Sequence, residues 1–125
     1  MRMAAKHFFK LLTHEQRAVF ASLSARVGSI SDNKLGGWYS YRAAKAALNM
    51  LIKTAAVELA RTQPNSVVPA MHPGTVSSAL SAPFSGARLG RPAAIAAAEM
   101  LRLVDTFDPG TSGSFYAYDG TQLPW

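Results

Sequence analysis

Apolar side chains recur along the chain in two alternating rhythms, one suited to helices and one to short buried strands. Met3, Ala4, Phe8, Leu11 and Leu12 keep a helical spacing and predict a helix over 3–12. No capping residue precedes them, so the chain reads as starting inside a helix. Residues 17–23 (RAVFASL) make a compact apolar run and predict a buried strand. Gly28, Gly36, Gly37, Asp32 and Asn33 then gather within 24–40 and predict a loop, long enough to suggest a functional one. Residues 41–61 hold no glycine or proline and are apolar around much of the helical circumference, which predicts a long helix with contacts on more than one side. Pro64-Asn65 turns the chain into a strand over 66–71 (SVVPAM), weakened at one ladder position by Pro69. After an irregular stretch over 72–90, Pro92 suits the first turn of a helix that reaches 104. Residues 114–118 (SFYAY) alternate like a final strand. About three strands alternating with three helices predict an α/β domain, a parallel sheet covered by helices with right-handed crossovers.

Composition narrows the class. The 125 residues allow one domain, and 49% apolar with 16% charged side chains suits a globular one. There is no cysteine, which excludes disulfides and thiolate metal sites, and the three histidines have no metal-binding spacing. No apolar stretch approaches the roughly 18 residues of a membrane span. The opening residues lack the apolar segment of a secretion signal. A cytoplasmic protein without a membrane partner is expected. The net charge of +6 is spread thinly along the chain, with no basic run. That pattern predicts a solvated basic surface rather than a nucleic-acid interface, and it favours an anionic cofactor.

Candidate chemistry concentrates at Tyr41-Arg42-Ala43-Ala44-Lys45, which opens the long helix directly after the loop. A spacing of four puts both end side chains on one helical face. A phenol ordinarily titrates near pH 10 and exchanges protons poorly at neutrality. An ammonium group beside it favours the phenolate, and the pair can then serve a carbonyl/alcohol couple as general acid and base. The spacing alone is common, and its plain alternative is a tyrosine at a helix start beside a solvated lysine.

Three segments in order give the pair a context. Residues 19–30 (VFASLSARVGSI) resemble the strand and serine loop of the short-chain dehydrogenases. Residues 41–49 (YRAAKAALN) resemble their catalytic helix, and residues 73–78 (PGTVSS) their P-G-x-V-x-T loop. The form Gly28-Ser29-Ile30-Ser31-Asp32-Asn33, followed by Gly36-Gly37 and Tyr39-Ser40-Tyr41-Arg42, is similar to the carbonyl-reductase-like C-factor/sniffer branch. The resemblance implies a Rossmann-type doubly wound sheet and NAD(P)-dependent carbonyl reduction or alcohol oxidation of a small substrate. Tyr41 would donate the proton, and Lys45 would favour the phenolate and hydrogen-bond the nicotinamide ribose. Pro73, Gly74, Val76 and Ser78 would meet the cofactor, NADP or NAD. The long helix would join subunits in a dimer or tetramer of the complete protein.

The family's active serine stands three residues before its glycine, where this chain has Ala25. Ser24 and Ser29 are the two substitutes, with Ser24 placed slightly ahead. Ser78 replaces a threonine and keeps the hydroxyl. The family's glycine-rich T-G-x-x-x-G-x-G turn, which holds the pyrophosphate at a helix N-terminus, does not occur in these 125 residues. The expectation is therefore a partial domain over 1–125 without the dinucleotide-binding half, a truncated chain of marginal stability whose strand 17–23 is an exposed edge. A non-catalytic remnant, or a signalling or interaction module on the same scaffold, is the competing reading.

Overall fold

The computed structural model describes residues 7–12, 15–84 and 86–125. Residues 3–6 of the helix expected over 3–12 lie outside the described residues. His7 and Phe8 are helical, and Phe9–Leu11 close as a 3₁₀ turn. Among the described residues six short strands follow: β1 (Ala18–Val19), β2 (Ser22–Leu23), β3 (Ser66–Val67), β4 (Ala70–His72), β5 (Phe115–Ala117) and β6 (Gln122–Leu123). The helices are α1 (Tyr39–Thr62), a short α2 (Gly86–Leu89) and α3 (Ala93–Thr106).

Each of the first two expected strands is split in two, and Pro69 explains both breaks. β1 pairs in parallel with β3 (Ala18 opposite Ser66), and β2 with β4 (Ser22 opposite Ala70), so the register runs on unbroken. Phe20 and Ser22 still donate to the carbonyls of Val67 and Pro69. Only the ladder bond that proline cannot donate is missing. β4 also pairs in parallel with β5, and β6 returns antiparallel along β5. That last strand was not expected from the alternation. Asp119 and Gly120 make its turn, with Gly120 at φ 85° and the Asp119 carboxylate accepting from the Thr121 N–H.

Alternation along the strands divides the core into two layers. Val68, Ala70, Phe115 and Ala117 point to one face and pack against Ile52, Ala55, Ala56 and Leu59 of α1. Val67, Met71 and Tyr116 point to the other, against Met100 of α3 and Phe107. Helices thus cover both faces of a mainly parallel sheet, the α/β arrangement expected. α1 begins two residues before the expected start and ends one after the expected end, while Pro92 is the N-cap of α3 rather than its first residue. The irregular stretch 72–90 holds a 3₁₀ turn (Ala82–Phe84) besides α2. β2 has a described neighbour on one side only, and its Leu23 is 60% exposed.

Candidate active site

The parallel strand ends β2 and β4, the N-terminus of α1 and the 73–78 loop surround a cleft of about 990 Å³. Ligand clefts in open α/β sheets form at the carboxyl ends of the strands, as here. Gly36, Gly37 and Trp38 lead into α1 with φ of 66°, 69° and 51°. Two of these three left-handed residues are glycines, for which the conformation is free of strain. Trp38 is not, and a non-glycine residue there costs about 1–2 kcal/mol. Arg42 fastens the turn to the helix. Its guanidinium donates to the carbonyls of Gly36 (3.0 Å), Gly37 (3.0 Å) and Val27 (3.1 Å). Sequence reading assigned Arg42 no role, because nothing in the residue order says that the loop folds back over it.

Tyr41 is 45% exposed and lines the cleft. The Lys45 ammonium lies 5.9 Å from its ring centroid and donates to the Leu23 carbonyl at 3.1 Å. One turn further, Asn49 is buried and accepts from the Ser24 hydroxyl at 2.5 Å. Tyr41, Lys45 and Asn49 therefore run down one face of α1 along the end of β2. The loop can lie this close because residue 28 is glycine. A Cβ there would sit 2.7 Å from that of Lys45.

The two candidate serines differ in position. Ser24 is buried but lines the cleft, as does Ala25. Ser29 is 1% exposed, is not among the residues that line the cleft, and its hydroxyl accepts from the Asp32 N–H at 3.1 Å.

Pro73, Gly74, Val76 and Ser78 all line the opposite wall. Arg91 holds this loop. Its main chain bonds to Thr75 and Ser77, and its guanidinium donates to the Pro73 carbonyl at 2.8 Å. The same guanidinium pairs with Glu99 and lies 3.7 Å from the Tyr118 ring centroid. Gly74 has φ 74°, and a Cβ there would meet the Tyr118 ring at 2.9 Å. Ser78 and Ser81 close a tight turn through both hydroxyls.

His72 ends β4 in the cleft wall, and its Nδ1 is buried without a partner among the described residues. Burial first, then the Arg26 and Arg91 charges, hold its pKa below the ordinary 6.5, with Asp119 opposing weakly. The unfolded chain therefore takes up this proton before the folded one does. Its contribution to stability is full above pH 6.5 and falls as acidification carries the pH from 6.5 down through the lower folded value. Urea midpoints measured on either side of pH 6.5 should show this slope in the native chain and a flatter one in His72→Asn.

No protein-family model matches the chain. It is 38% identical over 106 residues to C-signal of Myxococcus xanthus, an alignment covering 84% of this chain and 60% of that protein. The fold matches the carbonyl reductase Sniffer of D. melanogaster with a TM-score of 0.76 and 28% identity, over 98% of this chain and 47% of that one. The chain is similar to short-chain dehydrogenases/reductases, carbonyl reductases among them. A second solved structure of similar fold, the NADPH-bound carbonyl reductase from chicken fatty liver, matches with a TM-score of 0.73 and 27% identity, over 98% of this chain and 48% of that one. The chain thus spans about half the length of these solved structures. Among the described residues, no helix is long and apolar enough to cross a membrane.

Proposed function

We propose that this chain carries the proton-transfer side of an NAD(P)-dependent carbonyl reduction or the reverse alcohol oxidation. The observation that carries the reading is a half-exposed phenol, Tyr41, in a cleft with the Lys45 ammonium 5.9 Å from its ring. The relatives named above include carbonyl reductases, one of them bound to NADPH. The wall suits the nicotinamide end of such a cofactor, because Gly74, which has main chain alone, lines it and His72 Nδ1 is a buried polar atom without a partner among the described residues. Pro73, Gly74, Val76 and Ser78 would hold that end. When bound, the reduced nicotinamide supplies a hydride to the carbonyl carbon.

The rest falls to this chain. Tyr41 gives its phenolic proton to the substrate oxygen, so that hydride and proton together complete the alcohol. Lys45 stabilises the phenolate left behind. Ser24 steadies the oxygen, which requires a change in its own bonding, since its hydroxyl donates to Asn49 Oδ1. The Asn49 amide nitrogen is buried without a partner among the described residues. Turning that amide over would make the nitrogen donate to Ser24 and free the serine proton for the cleft. In the complete protein, the outward face of α1, with Met50 and Val57 exposed, would join subunits.

Titrating NADPH while following nicotinamide fluorescence checks the reading, with a saturable rise expected. No change at millimolar cofactor would favour the second reading, a non-catalytic signalling or interaction module. Two observations speak for that alternative: Ala25 stands where the family has its serine, and one relative is named C-signal.

A further inference from the structure

Away from the cleft, one edge of the sheet stands open. Ala18, Phe20, Ser22 and Ser24 donate their N–H groups to the 65–71 segment. A parallel strand bonds one neighbour through alternate residues, so Val19, Ala21 and Leu23 turn their N–H and C=O groups the other way. There the Leu23 carbonyl meets the Lys45 ammonium, and no strand lies alongside among the described residues. Natural edges carry lysine, proline or a bulge that discourages pairing. Residues 18–24 (AVFASLS) contain neither lysine nor proline, and their register against β3 and β4 runs without a bulge. Arg17, just before them, directs its guanidinium to the Val104 and Phe107 carbonyls instead.

Beside this edge, on the α3 face, runs an apolar groove of about 470 Å³ walled by Leu23, Pro73, Val76, Ala96, Met100 and Leu101. Leu23 and Leu101 are 60% and 66% exposed. The chain as a whole exposes 7896 Å², whereas a compact monomer of 13.4 kDa exposes about 6,500 Å². The surplus of about 1,400 Å² exceeds the roughly 800 Å² that each partner gives up in a stable interface.

The edge is also complementary to itself. Turned about a twofold axis through Ala21, it lies antiparallel to its own copy. Val19 then stands opposite Leu23 of the second copy, and Ala21 opposite its own equivalent. Each outward N–H meets an outward carbonyl, since the Leu23 oxygen has a second lone pair beside the Lys45 bond. The axis is perpendicular to the sheet, which keeps both α3 helices on one face and brings both grooves to the seam. We propose that two copies of this chain associate through the β1–β2 edge and form one continuous sheet. This contact is separate from the outward face of α1, and it does not depend on the proton-transfer reading.

Light scattering of the 125-residue chain at micromolar concentration should give twice its mass of 13.4 kDa. Ala21→Pro removes only an outward N–H and spares the bonds to β3 and β4, so it should give a monomer with native circular dichroism. Leu23→Lys should raise the dissociation constant about a hundredfold, because the twofold removes two buried leucines at once. The native chain has no cysteine, so Ala21→Cys introduces a single thiol. Its equivalent in the second copy would lie about 5.5 Å away between Cα atoms, within disulfide reach. Mild oxidation should therefore yield a covalent dimer. A monomeric native chain, as expected if the edge awaits a different polypeptide, would overturn the proposal. So would a dimer that keeps its affinity in Leu23→Lys, one that dissociates in Met50→Lys on the α1 face, or the absence of cross-linking in Ala21→Cys.

Discussion

On the function proposed above, replacing Tyr41 by phenylalanine should lower NADPH-driven carbonyl reduction by about two to four orders of magnitude and leave the fold in place. The substitution removes one oxygen from a ring that is 45% exposed. The ring's contact with Trp38 survives, and so does the Lys45 bond to the Leu23 carbonyl. What disappears is the only group in this reading that gives a proton to the substrate oxygen. Initial rates, set beside thermal unfolding of both proteins, make the comparison. A phenylalanine variant within a few fold of the native rate would remove Tyr41 from the chemistry.

Phe115→Ala has the largest expected effect on stability. Phe115 is fully buried on β5, between β4 and β6, and stacks on Trp125 at 5.6 Å with the rings inclined by 17°. Truncating a buried phenylalanine costs about 3–5 kcal/mol. Domains of this size are stable by about 5–15 kcal/mol, so the change removes a large share. Urea unfolding should show the midpoint falling accordingly, with the transition moved down by about 10 °C or more on heating. Phe115→Leu should recover most of the loss. A small shift in both would mean that the α1 side of the sheet is not the main core.

Most of the fold could be read from the residues because the two rhythms are clear in them. The long helix lacks breakers from 41 to 61, and the strand runs 17–23 and 66–71 pair in parallel, as the alternation of elements predicts. β6 was overlooked although Asp119-Gly120 is a hairpin dipeptide. The two residues after it that pair, Gln122 and Leu123, are too few to show alternation. Pro69 weakened a strand as expected, yet it also split the partner opposite, an effect visible only once the pairing is known.

The site divides in the same way. Tyr41 and Lys45 stand out by spacing and the 73–78 segment by its resemblance, and all but Lys45 and Ser77 line one cleft, with Lys45 in contact beside it. Arg42, Asn49 and Arg91 do not, because their partners lie elsewhere in the chain: the 24–38 turn for Arg42, Ser24 for Asn49, and Pro73, Glu99 and Tyr118 for Arg91. The choice between Ser24 and Ser29 needed three dimensions as well. Both are buried, and only the end of β2 faces the cleft.

The anchoring of the 73–78 segment by Arg91 has an evolutionary corollary. Thr75 and Ser77 are stapled to residue 91 by main-chain bonds, so the intervening stretch is a closed lobe whose two feet keep their separation whatever the lobe contains. Insertions and deletions there are free to reshape one rim of the cleft without disturbing the opposite wall. Divergence of substrate choice among descendants of such a chain would then accumulate in that lobe, while Arg91 and Glu99 stay fixed as its footing.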